Sequence, residues 1–94
     1  MGQVTFTAAF SGGFGNLDIS FDDIPDELHL DPGNTSGTVT LPPGADVYSV
    51  SGDSPTGPGG NIDLEITGDI LAPIQMSFPP GLIIPQDHSV VVTI

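Results

Sequence analysis

Ten prolines and thirteen glycines are spread through 94 residues so that every window long enough for a helix contains a breaker. What survives between the breakers is short and alternates. Val4, Phe6, Ala8 and Phe10 are separated by Thr5, Thr7 and Ala9, and Leu17, Ile19 and Phe21 by Asp18 and Ser20. Ile62, Leu64 and Ile66 alternate with Asp63, Glu65 and Thr67, and Ile74, Met76 and Phe78 form a further inward face. A period of two puts the apolar side chains of a segment on one side, as in a strand with one face buried. Shorter runs lie at Leu28–Leu30, Val39–Leu41, Val47–Val50 and Ser89–Ile94, and Leu82-Ile83-Ile84 is a small apolar patch before Pro85. The pattern predicts an all-β chain of about seven strands and no helix.

Two stretches echo one another. Gly15-Asn16-Leu17-Asp18-Ile19 and Gly60-Asn61-Ile62-Asp63-Leu64 both begin Gly-Asn-apolar-Asp, keep alternating, and close on Asp-Ile at Asp23-Ile24 and Asp69-Ile70. Each is followed by a strand-like run ending in Pro-Pro-Gly, at 42–44 and 79–81, and then by a run around Ser-Val, at Ser49-Val50 and Ser89-Val90. One β-unit used twice accounts for this, with pseudo-repeats over about 15–52 and 60–94 inside a single domain spanning 1–94. The aperiodic segment from Asp53 to Gly60 falls at the joint between them.

About seven short alternating strands in a chain of this length suit a small immunoglobulin-like β-sandwich, and a small barrel is the other closed solution. Neither cysteine nor tryptophan is present, so only the architecture of that fold is implied. Leu41-Pro42-Pro43-Gly44-Ala45-Asp46-Val47-Tyr48-Ser49-Val50 resembles the strand–turn–strand of bacterial immunoglobulin-like and prealbumin-like modules. The resemblance covers ten residues. It implies an extracellular adhesion or spacer unit without enzymatic activity, although no signal peptide stands at Met1.

Charge excludes more than it specifies. Twelve carboxylates face no lysine and no arginine, for a formal charge of −12. No basic surface exists to neutralise phosphates, which argues against nucleic acid and anionic lipid as partners. A basic protein is the partner that such a surface would attract. No apolar run approaches the length of a membrane span. Without disulfides, a core of this size is marginal and gains from contact between subunits.

Candidate chemistry is sparse. His88 and Ser89 are adjacent, so on a strand they point to opposite faces and cannot act as base and nucleophile. No enzyme is expected. Asp22, Asp23, Asp26, Glu27 and Asp31 cluster near one strand end, and oxygen-rich clusters of this kind suit Ca²⁺, although the spacing matches no calcium loop. A solvated acidic rim is the competing reading. The last strand carries Val90, Val91, Val92 and Ile94 and is apolar on both faces, so it is either central in its sheet or covered by a partner.

Two functions stay open at this level. One is a structural protein that self-assembles through its strands, as a homo-oligomer or filament, coat or surface-layer subunit. The other is an acidic, calcium-dependent binding or adhesion module.

Overall fold

Alternation and breakers translate directly into strands and corners in the computed structural model, which describes residues 1–94 and contains no helix. Eight strands form: β1 (Gly2–Ser11), β2 (Asn16–Phe21), β3 (Glu27–Leu30), β4 (Ser36–Leu41), β5 (Gly44–Ser54), β6 (Asn61–Gly68), β7 (Ile74–Phe78) and β8 (Gly81–Val92). They make two antiparallel four-stranded sheets in the orders β4-β1-β6-β7 and β3-β2-β5-β8. No ladder joins one sheet to the other, so the architecture is a β-sandwich and the barrel is set aside. The short run at Leu28–Leu30 forms a strand of its own, Glu27–Leu30, which brings the count to eight.

The residues that alternate inward meet between the sheets. Val4, Phe6 and Ala8 of β1 and Ile62, Leu64 and Ile66 of β6 face Leu17, Ile19 and Phe21 of β2 and Tyr48 and Val50 of β5 in one core of seventeen buried side chains. Phe6 joins the layers, meeting Phe21 edge-on at 5.5 Å and Tyr48 at 5.6 Å between ring centroids. Each such pair contributes roughly 0.5–1.5 kcal/mol beyond its buried area.

Both Pro-Pro-Gly triplets are corners that carry the chain from one sheet to the other, from β4 to β5 and from β7 to β8. Gly44 and Gly81 have φ of 105° and 114°, a region that side-chain-bearing residues avoid. A Cβ at either would meet nothing within 4 Å, so the backbone angle alone demands glycine. The strands leaving these corners pair antiparallel, Gly44 opposite Val92 and Ser54 opposite Gly81, which puts the two corners at opposite ends of one ladder. The two Gly-Asn copies open β2 and β6, each an inner strand of a different sheet.

One element differs in extent from the sequence pattern. Leu82–Ile84 and Ser89–Val92 belong to a single twelve-residue strand, β8. Between Val50–Gln86 and Gly52–Ile83 the register slips, leaving Ile84 and Pro85 of β8 opposite Ser51 alone. A bulge at a sheet edge is where a strand accommodates a proline that has no N–H to give. At about 3.3 Å per residue β8 spans nearly the whole length of the molecule, whose long dimension is 41 Å.

Candidate functional site

The sheet β3-β2-β5-β8 has two edges, and they are built from opposite materials. β3 is four residues long and lies inside the acidic part of the chain; half of the twelve carboxylates fall between Asp18 and Asp31. On its outer face His29 Nδ1 lies 2.7 Å from Asp18 Oδ1, and its Nε2 lies 3.8 Å from Glu27 Oε2. Register explains the first contact, because Asp18 and His29 are directly opposite across β2 and β3. The hydrogen bond to Asp18 raises the His29 pKa above its ordinary value; desolvation opposes it, and the charges of Asp18 and Glu27 add lesser increments.

The five carboxylates expected to gather around Ca²⁺ do not converge. No three Asp, Glu or His side chains are placed to share a metal ion. Asp31 Oδ1 accepts the Gly33 N–H at 2.8 Å and closes its own turn, where Asp31 and Asn34 also exchange both backbone hydrogen bonds. Glu27 faces His29. Asp23 follows Asp22, whose N–H donates to the Val47 carbonyl, and so falls opposite Asp46, a residue the sequence reading did not single out. Chain proximity had suggested a cluster, but a strand end and a tight turn aim neighbouring side chains apart.

Asp46 is the exception among the acids. It lies on the inward face of β5 with Tyr48 and Val50, is 2% exposed, and its Oδ2 receives no hydrogen bond. Counting back by two from the buried Tyr48 and Val50 would have found it. Burial pushes its pKa up to about 6, and the hydrogen bond and charge of Asp23 add to the effect. Two carboxyls share a hydrogen bond only when one of them carries a proton. The Tyr48 hydroxyl is also buried without a partner, and burial pushes its pKa up to about 12.

β8, the other edge, is nearly uncharged. From Ile70 to Ile94 the chain carries one carboxylate, Asp87. The residues expected to mediate assembly are placed differently from one another. Val90 and Val92 point into the core, 2% and 3% exposed, while Val91 points outward and Ile94 lies exposed beyond the strand. The β6–β7 connection already covers this end of the edge: Leu71 N–H donates to the Val91 carbonyl at 3.0 Å and Thr93 N–H to the Asp69 carbonyl at 2.9 Å. Val90 and Val92 thus belong to the core face, while Val91 stays 44% exposed on the outer face of a strand end whose edge the same chain closes.

The uncovered part of the edge is upstream. From Gly81 to Ser89 no strand pairs with β8 on the side away from β5. Leu82 and Ile84 there are 75% and 70% exposed. Beside them a cleft of about 270 Å³ opens between β7 and β8, lined by Val50, Phe78, Pro79, Pro80, Ile83 and His88 among others. His88 leans on Tyr48, its partner across β5 and β8, with ring centroids 5.5 Å apart, and Ser89 faces out. The signal for this region was present as the apolar run before Pro85, but its exposure was not legible.

A broader concavity of about 460 Å³ lies on the outer face of the other sheet, over Thr7, Asp63, Glu65, Gln75 and Ser77. Its carboxylates accept from neutral donors: Asp63 from Ser77 Oγ at 2.6 Å and Asn61 Nδ2 at 2.9 Å, and Glu65 from Gln75 Nε2 at 3.2 Å. No family model, curated protein or solved structure matches the chain.

Proposed function

We propose that this protein is a non-enzymatic structural subunit that associates with copies of itself by adding a strand to the Gly81–Ser89 edge of β8. The observation that carries this reading is the unpaired edge itself, flanked by exposed Leu82 and Ile84 and by an apolar cleft. An edge of this kind offers unused N–H and C=O groups, and proteins usually blunt it with charge. Here the only ionisable side chains on the strand are Asp87 and His88, and its one device against pairing is the bulge at Pro85.

Charge supports the same face. Two copies each carrying −12 repel almost everywhere, and a contact along β8 brings only Asp87 of its own strand to the interface. Edge-to-edge pairing needs no cations, which suits a chain without lysine or arginine. Two β8 strands pairing across a two-fold axis would give a closed dimer with one continuous sheet; a filament or surface layer would need a second contact. Residues 41–50, which resemble immunoglobulin-like and prealbumin-like modules, occupy β4, its corner and β5, consistent with an extracellular spacer of that type.

The acidic β3 side favours a second reading, attachment to a basic partner, with an encounter that weakens in salt. Sedimentation velocity across salt concentration, with electron microscopy of the same samples, separates the two. Self-association through β8 should strengthen as salt screens repulsion over roughly 8–10 Å, and Leu82→Asp with Ile84→Asp should abolish it. Monomers at all salt concentrations, or assemblies that survive the double substitution, would overturn the proposal.

A further inference from the structure

Asp46 faces the core in a chain that has no cation to meet it. Elsewhere a lysine or arginine commonly neutralises a buried carboxylate. Here neither exists, and the two histidines are engaged elsewhere, His29 with Asp18 and His88 against Tyr48. Register brings another carboxyl to it: Phe21 pairs with Tyr48 and Asp22 N–H donates to the Val47 carbonyl at 3.1 Å, so the next residue of the β2–β3 connection, Asp23, stands across from Asp46. We propose that Asp23 and Asp46 form a proton-operated latch, in which one shared proton holds the β2–β3 connection against the start of β5 and its loss loosens that connection.

The surroundings leave the proton as the neutraliser. On β5 the next inward residue is Tyr48; across the ladder, Val90 of β8 stands opposite Asp46, and His88 faces Tyr48 instead. β1 and β4 carry no ionisable side chain. Asp23 is the charged group that acts on Asp46. The β2–β3 connection is fastened beside the pair by one backbone bond, Asp22 N–H to the Val47 carbonyl at 3.1 Å. Below the transition the protonated carboxyl donates its O–H to the ionised one. Above it the proton passes to solvent, and two carboxylates are left together, one of them shielded from water.

The direction follows from the raised pKa. Asp46 titrates near 6 in the folded chain and near 3.9 when unfolded, so the folded state binds the extra proton between these values. Latch stability is fully present at pH 4 and below, and is lost as the pH rises through 6. Two pH units correspond to about a hundredfold in proton affinity, which sets the largest effect the latch can have.

Amide hydrogen exchange of the Asp22 N–H, corrected for intrinsic rates, reads the latch on the full chain. Protection should fall by up to about a hundredfold between pH 4.5 and 7.5 in the parent. Asp46→Asn should remove the pH step, Asp23→Asn should shrink it while the burial of Asp46 keeps a remainder, and Asp87→Asn, which removes one exposed charge, should leave it in place. A pH step that persists in Asp46→Asn, a step unchanged in Asp23→Asn, or protection flat in the parent, would refute the latch. Millimolar Ca²⁺ restoring protection at pH 7.5 in the parent but not in Asp46→Asn would also refute it, replacing the proton with a cation site.

Discussion

β3 and β8 are the two edges of one sheet, yet they handle the same hazard in different ways. β3 is four residues long and sits among six carboxylates, so a strand approaching it from another acidic copy meets charge at once. β8 is twelve residues long, carries a single carboxylate, and exposes Leu82 and Ile84. Its far end is covered by the chain's own β6–β7 connection through the bonds at Val91 and Thr93, and its near end is not. In a molecule with no lysine or arginine and twelve carboxylates, charge acts to repel copies of the chain. A surface left bare of it is therefore the surface on which copies can meet.

The largest expected effect contrasts the two faces of β8 itself. Val92→Asp would bury an unpaired carboxylate where the parent has a side chain 3% exposed, and should cost more than about 4 kcal/mol, enough to unfold a domain of this size. Val91→Asp, one residue away on the outer face, should cost less than about 1 kcal/mol. Thermal melts followed by circular dichroism test both. Equal effects would break the assignment of faces along this strand.

Next in size is Asp46→Asn. With the folded pKa near 6, replacing the acid should stabilise the protein at pH 7.5 by on the order of 2–3 kcal/mol. At pH 4, where the parent carboxyl is already neutral, the difference should nearly vanish. Urea melts at the two pH values give it directly, and an Asn variant less stable than the parent at pH 7.5 would contradict the buried-acid reading.

Leu82→Asp and Ile84→Asp should leave the melting of the monomer within about 0.5 kcal/mol, because both side chains are mostly exposed. Their effect should fall on sedimentation alone. The matching change on the other edge, Glu27→Leu with Asp26→Asn, sharpens the comparison: removing guard charges from β3 should increase association, if charge rather than strand length is what protects that edge.

The smallest effect belongs to His29. Its raised pKa places its contribution fully below the unfolded value and has it fade as the pH rises past the folded one. The pair with Asp18 is exposed, so the expected signature is in titration rather than in stability. The His29 ring should titrate above 6.5 by NMR, and Asp18→Asn should bring it back down; no change on that substitution would dissociate the contact from the shift.

Several features were legible because they depend only on neighbours along the chain. Alternation identified the strands at Val4–Phe10, Leu17–Phe21 and Ile62–Thr67 and their inward residues, since a period of two is a property of the pleated backbone. Glycine and proline excluded helices and marked the Pro-Pro-Gly corners, because their φ restrictions act locally. The missing cations excluded ion pairs between acids and any lysine or arginine. What only the tertiary structure decided is whatever depends on which strand lies beside which. Alternation says that Asp46, Tyr48 and Val50 share a face; the packing of β5 against the opposite sheet is what turns that face, acid included, towards the core. Val90–Val92 looked alike on both sides until packing fixed Val90 and Val92 inward and left Val91 outward, with the Asp69–Leu71 segment closing the edge beside them. Leu82 and Ile84 are exposed because β8 turns Ile83 inward and them outward, and their backbone is unpaired because β8 is an edge; nothing local in a sequence records how many neighbours a strand will have.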